Sequence, residues 1–172
     1  MIIRLGYVSI SKTIENYISS KNITYTNYQK NNDYTKLDNI IKTNLINLAE
    51  ILKYNEKNNI HFYRISSNLI PLATKKEVSF NYLDKYNDYY KQVTKIIKRT
   101  NMRVDMHPSN YCVLNSIKKE VVDASIDIIK YHYNLLKELK IKDKLIILHI
   151  GSSTLGKKNS LTRFINNFNK LS

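Results

Sequence analysis

The sequence predicts an α/β protein in which four consecutive βα units wind a parallel sheet with helices outside it. Three observations predict this. Short runs rich in β-branched and aromatic residues recur along the chain, each is followed by a stretch whose apolar residues return every three or four positions, and only 3 Gly and 2 Pro interrupt the 172 residues. Strands alternating with helices close by short right-handed crossovers into parallel pairs.

Taken in order, residues 1–7 (MIIRLGY) read as a short buried strand. Residues 8–36 are polar and long for a connection, with Tyr17, Tyr25, Tyr28 and Tyr34 interleaved among Lys12, Lys21, Lys30 and Lys36. Aromatics that stack bases beside cations that hold phosphates suit nucleic acid, and a mobile surface loop of biased composition accounts for the same residues equally well. Thr35 and Asp38 form a T-x-x-D start signal, after which Leu37, Ile41, Leu45, Leu48 and Leu52 mark an amphipathic helix to about residue 58. Residues 61–65 (HFYRI) make a strand, and Leu83, Tyr86, Tyr90, Val93 and Ile97 mark a second helix. Residues 103–107 (RVDMH) are a strand ended by Pro108, followed by a helix through Ile117, Val121, Ala124, Ile128, Tyr131, Leu135 and Leu139. Residues 144–150 (KLIILHI) form the fourth strand, and Leu161, Phe164, Ile165, Phe168 and Leu171 lie on the last helix. With no repeat beyond this rhythm, residues 1–172 read as one domain.

The chain carries 28 Lys and Arg against 14 Asp and Glu, a formal charge of +14. Bias toward Lys, Asn, Ile and Tyr supplies part of that excess, yet a field of this size attracts polyanions, and nucleic acid is the first partner it suggests. An apolar fraction of 42% is enough to bury a core. The single Cys112 excludes an internal disulfide, and the start MIIRLGYVSI lacks an apolar leader, so an intracellular, cytoplasmic protein is expected. The apolar run around Leu145 and Leu148 is far shorter than the roughly 18 to 20 residues that span a bilayer, so no membrane span is expected.

Chemistry in parallel α/β folds gathers where strands end and βα loops converge. His107 closes RVDMH and His149 closes LIILH. Strand neighbours lie roughly 4.8 Å apart, so imidazoles at equivalent ends of adjacent strands can share a metal ion, and each can equally be a hydrogen-bonded structural histidine. By strand parity Arg103, Asp105 and His107 share a face. Asp105 is the only acidic residue on the strand cores to partner Arg4, Arg64 or Arg103, so further partners are expected from elsewhere. His61 and His132 read as structural, and Cys112 as a small buried residue. The GSSTLGKK segment from Gly151 to Lys158 has Lys158 where a phosphate loop needs Ser or Thr, which excludes a P-loop nucleotide triphosphatase.

Several stretches together resemble the UV damage endonuclease family, which belongs to the xylose isomerase-like and AP-endonuclease-like TIM barrels. They are Arg4-Leu-Gly-Tyr7, residues 44–55 (NLINLAEILKYN), 62–67 (FYRISS) leading to 70–74 (IPLAT), 106–111 (MHPSNY), and His149-Ile-Gly151 with Lys157, Arg163 and Phe164. They occur in the family's order and spacing across almost the whole chain. The resemblance implies a DNA repair endonuclease that cuts the backbone 5′ of UV photoproducts in double-stranded DNA, using divalent metal ions, Mn2+ in the first place. It implies that His107 and His149 are metal ligands and that Tyr7, Asn110, Tyr111 and Lys157 contact DNA or the lesion; no catalytic residue is assigned. Asn110 is one methylene shorter than the family's usual Gln, and Lys75 replaces the histidine of the family's P-[LF]-A-[ST]-H. Such metal ions would polarise the scissile phosphate, and flipping would exploit the weakened stacking of damaged bases.

A complete barrel has eight βα units and typically about 250 residues, against the four units read here. The expectation is therefore a partial barrel, the N-terminal half of the family fold, inactive alone unless a homodimer or the missing C-terminal half covers its open edges. The other readings are a noncatalytic DNA-binding half-barrel and a sugar isomerase or epimerase of the same barrel group.

Overall fold

The computed structural model describes residues 3–171 except 15, 32, 33, 79 and 152. It is an α/β structure with a three-stranded parallel sheet and, among the described residues, six α-helices. Strand β1 (Gly6–Val8) lies beside β2 (Phe62–Ile65), which lies beside β3 (Arg103–Met106), in the order β1-β2-β3. Each strand follows its predecessor through a helical crossover, which is how a chain returns to a parallel neighbour.

Pairing register sets the two faces of the sheet. Tyr7 pairs with Tyr63 and Tyr63 with Val104, whereas Val8 pairs with Arg64 and Arg64 with Asp105. Since alternate residues face opposite ways, Tyr63, Ile65, Val104 and Met106 point into the helix layer, where all four are buried. Arg64 and Asp105 point to the other face.

Gly6 makes the β1–β2 contact possible, because a Cβ there would lie 2.3 Å from the Phe62 carbonyl oxygen. Gly6→Ala is expected to push β1 off β2 and cost about 1–3 kcal/mol, an overpacking effect. The check is a lower urea midpoint together with faster exchange of the Ser9 amide, which donates to Arg64 O at 3.0 Å. The strand expected over residues 1–7 is shorter and less buried than its composition suggests. Ile3 and Leu5, which precede β1, are 80% and 71% exposed, and among the described residues β1 is an edge with no further strand beside it, while Met1 and Ile2 lie outside the described residues.

The segment 8–36 contradicts the expectation of a long loop. It contains helix α1 (Tyr25–Asn31), and Tyr25, Tyr28 and Tyr34 pack against the core, leaving Tyr17 as the exposed tyrosine of the four. Two buried asparagines on helix α2 (Tyr34–Lys57) lie beneath it. Asn44 exchanges two hydrogen bonds of 2.9 Å with the backbone of Lys21, and Asn47 donates to Ile18 O at 2.9 Å. Side-chain amides thus tie a polar segment down where apolar periodicity gives no sign of order.

Helix α2 buries Leu37, Ile41, Leu45, Leu48 and Leu52 as their spacing predicts. Its start differs, since Thr35 lies inside the first turn and Asp38 serves a different purpose from capping. Asp38 receives Lys42 at 2.7 Å, Lys85 at 2.9 Å and the Tyr86 hydroxyl at 2.8 Å. Burial pushes its carboxyl up, but these hydrogen bonds outweigh it and hold the group at about 2.

The second predicted helix is divided into α3 (Tyr82–Lys85) and α4 (Asn87–Thr100), because Tyr86 leaves helical geometry to bury its ring and reach Asp38. Helix α5 (Lys119–Glu138) buries Tyr131 and Leu135 of the predicted stripe, with Leu139 buried just beyond its end, and also buries Val122, Ser125, Ile129, His132 and Leu136; Val121 and Ile128 are half-buried, while Ala124 and Ile117, which precedes the helix, are exposed. The buried face is wider than the predicted stripe because Tyr131, Leu135, Leu136 and Leu139 join the main core while Ile126, Ile128 and Ile129 pack with Cys112 and Leu114. The predicted fourth strand makes a single parallel bridge, Met106 to Ile146, with Met106 N to Leu145 O at 3.2 Å and Ile147 N to Met106 O at 3.0 Å. Helix α6 (Lys157–Phe168) leaves Leu161, Ile165 and Phe168 about half exposed, so its apolar stripe is only partly covered by this chain. No helix among the described residues is long and apolar enough to cross a membrane.

Candidate functional site

At the heart of the face opposite the helix layer lies one ion pair. Arg64 donates from Nε to Asp105 Oδ1 at 2.7 Å and from Nη2 to Oδ2 at 3.1 Å, a two-pronged geometry that suits guanidinium and carboxylate. The Asp105 side chain is 2% exposed, so the pair is shielded from water on the acid side. The other strand arginines find non-acidic partners: Arg4 donates to the Asn101 carbonyl at 2.7 Å, and Arg103 lies over the Phe62 ring.

His107 continues β3 on the Asp105 face and is half-buried; His149, from the segment bridged to β3 by Ile146, is exposed. Their ring centroids are 4.6 Å apart with planes at 79°, so the two imidazoles placed at strand ends by sequence do converge. Burial, then His149 and Arg64, push the His107 pKa below its ordinary value against the opposing pull of Asp105. The neutral ring keeps a lone pair for a metal ion. Among the described residues no group of three His, Cys, Asp or Glu side chains gathers to hold an ion, so the two rings by themselves would make an incomplete ligand set. Lys75, which stands where the family pattern has histidine, is exposed with its Nζ 5.5 Å from the Tyr25 ring centre.

After His107 the chain makes a tight turn, closed by the Cys112 amide donating to Ser109 O at 2.9 Å. Asn110 and Tyr111 occupy its tip, and Tyr111 is 86% exposed, an unusual outlay of aromatic surface. Both flanks are anchored, since Pro108 and Cys112 are buried and Val113 N donates to Ser125 Oγ at 2.8 Å. Burial raises the Cys112 thiol to about 11, which fits a packing residue and not a nucleophile.

The loop that carries His149 is held by a residue that sequence reading missed. Buried Asn115 accepts from the Gly151 amide at 3.2 Å and donates to Ser160 on α6 at 2.6 Å, while its carbonyl accepts from Arg163 Nε at 2.9 Å. Gly151 itself sits where a Cβ would lie 2.8 Å from Val113 Cγ1. No spacing or composition signal marks Asn115; only its burial identifies it. Lys157 opens α6 beside these contacts and is exposed.

One expected site residue falls elsewhere. Tyr7 lies on the helix-facing side of the sheet, with its hydroxyl donating to Asn55 Oδ1 at 2.8 Å and its ring edge-on to Tyr63, so it is not brought to the histidine pair. His132 is buried within α5, where Nδ1 meets the Ile128 carbonyl at 2.7 Å; as a carbonyl only accepts, Nδ1 carries the proton. His61 is exposed at the start of β2 and bonds through its backbone to Leu5 and Arg103.

Comparison with known proteins adds to this geometry. The family model described as "UV-endonuclease UvdE" matches residues 3–172. Curated relatives described as "UV DNA damage endonuclease" include one from Bacillus cereus (strain 03BB102) and one from Bacillus mycoides (strain KBAB4). Each is 34% identical over 175 residues, which are 99% of this chain and 55% of the relative. A solved structure described as "Crystal Structure of SacUVDE" superimposes with a TM-score of 0.91 at 38% identity, covering 99% of this chain and 57% of that one. This chain spans about half the length of the curated relatives it matches.

Proposed function

This chain belongs to the UV-endonuclease UvdE family, and on that premise we propose that it provides the lesion-reading part and two metal ligands of an endonuclease that incises double-stranded DNA 5′ of UV photoproducts. In this reading residues 1–172 are one partial (β/α) barrel domain, four of eight units, completed by a second copy or by a C-terminal half. The observation that carries the reading is the Asn110–Tyr111 tip, an exposed aromatic on a buried base, three to four residues beyond His107.

Tyr111 stacks on bases exposed when a damaged pair leaves the duplex, and Asn110 hydrogen-bonds a base edge beside it. Lys157, at the amino end of α6, holds a backbone phosphate where helix dipole and ammonium charge act together. Tyr7 acts at one remove, its ring supporting Tyr63 beneath the sheet. His107 and His149 would hold a divalent ion, manganese in the first place, with other ligand positions filled from outside the pair. Such an ion supplies Lewis-acid charge at the scissile phosphate when bound. The Arg64–Asp105 pair positions His107 by fixing the end of β3.

A noncatalytic DNA-binding role is the second reading, favoured by the two-histidine ligand set. One assay separates them: a duplex bearing a single photoproduct is incubated with the protein and manganese, and both binding and nicking are recorded. Nicking 5′ of the lesion that disappears in His107→Ala is the expected result. Tyr111→Ala is expected to weaken preference for the damaged duplex by about tenfold, the scale of one lost base–aromatic stack. Lesion-independent binding without nicking would favour the second reading, and absence of DNA binding would sink both.

A further inference from the structure

A cleft of about 560 Å³ lies between α4 and the end of α5, formed by residues remote in sequence from the histidine pair and the Tyr111 tip. Lys91, Thr94, Lys95 and Lys98 line one wall along a single stripe of α4, and Glu138 and Lys140 line the other. The lysines outnumber the carboxylate four to one. Glu138 is taken up by Lys140 at 3.7 Å, and Lys91 by Asp88 at 3.0 Å. Lys95 and Lys98 have no carboxylate partner among the described residues.

A second observation points to a ligand independently of charge. Thr94 is only 9% exposed and lines this cleft, and its Oγ1 has no hydrogen-bond partner among the described residues. A buried hydroxyl without a partner costs stability, and natural proteins rarely retain one. Here it sits on the same helical stripe as two unpaired ammonium groups. A hydroxyl donor flanked by cations is the recognition chemistry of a phosphate oxygen.

We propose that the cleft between α4 and the end of α5 binds a phosphate group, with Lys95 and Lys98 balancing the charge and the Thr94 side chain, its hydroxyl enclosed in the free protein, turning to donate to one oxygen. This goes beyond the lesion-reading site, because none of these residues belongs to it. The phosphate can belong to a stretch of DNA backbone or to a free polyphosphate anion.

The test uses the full chain and two probes, inorganic pyrophosphate and an undamaged duplex oligonucleotide, with affinity measured across a salt series. Lys95→Gln/Lys98→Gln is compared with Lys57→Gln/Lys118→Gln, which removes equal charge from exposed positions outside the cleft. The cleft variant is expected to lower the slope of log affinity against log salt by about two, one for each phosphate-directed lysine, and the control to change it much less. Loss for the duplex alone assigns the site to DNA backbone, and loss for pyrophosphate assigns it to a free anion; either supports the proposal. Equal effects of the two double variants for both probes would overturn it. Thr94→Val gives a separate readout: the unliganded Tm is expected to hold or rise, since an unsatisfied donor is removed, while the Tm gain caused by the bound probe shrinks. A lowered unliganded Tm with an unchanged gain on binding would show that the hydroxyl serves packing and not the phosphate.

Discussion

Asp105→Ala is expected to destabilise the protein by about 3 kcal/mol, the lower end of the range for removing one partner of a buried ion pair. The lower end applies because the Arg64 side chain is 22% exposed and can reach water once released, whereas Asp105 is 2% exposed. Much of the loss comes from the guanidinium left behind and not from the bond itself. Arg64→Met/Asp105→Leu, which removes both charges and keeps the volume, is therefore expected to recover most of the stability. Urea unfolding of the wild type, the single variant and the double variant checks this. An unchanged midpoint in Asp105→Ala would show that Arg64 swings out at no cost. If the double variant is as stable as wild type but loses nicking, the pair acts by positioning the end of β3 and His107 beyond it.

Acid is expected to weaken the fold through His132. Burial pushes this imidazole down to about 4, against the hydrogen bond to the Ile128 carbonyl that favours protonation, with His107 adding a smaller downward push. Unfolding restores the ordinary value near 6.5, so between about 6.5 and 4 the unfolded chain binds a proton that the folded one refuses. Stability present above pH 6.5 is lost as pH falls toward 4, and the full difference corresponds to about 3 kcal/mol. The expected record is a decline in unfolding free energy across that window. His132→Phe, which keeps a ring but cannot titrate, is expected to flatten it while paying a constant repacking cost. A decline of equal size in His132→Phe would assign the acid sensitivity to other groups.

Much of the helix layer was legible because amphipathic spacing reports burial directly. Leu37, Ile41, Leu45, Leu48 and Leu52 on α2 repeat at the helical period, and each is buried where that period places it. The strands HFYRI and RVDMH were legible for the same kind of reason, and their parallel pairing followed from the helices between them. Apolar spacing failed where polar side chains do the ordering. Asn44 and Asn47 fasten the 8–36 segment to α2, and Tyr86 breaks a helix to meet Asp38. On α5 the predicted stripe is buried from Tyr131 onward, and the further burial around Ile129 comes from packing with Cys112 and Leu114, which spacing does not report.

The sequence by itself determined the order of the first three βα units, the basic charge, the family resemblance and the placing of His107 at the end of a strand. These depend on local periodicity and on motifs, which survive in one dimension. Only the tertiary structure decided that the two imidazoles meet at 4.6 Å, that Arg64 and Asp105 neutralise each other, and that Tyr111 stands out on an anchored turn. It also decided that Tyr7 faces the helices with its hydroxyl held by Asn55, and that Asn115 fastens the His149 loop to α6. Register across neighbouring strands and burial of long-range polar contacts set these features, and both arise only when segments distant along the chain are brought together.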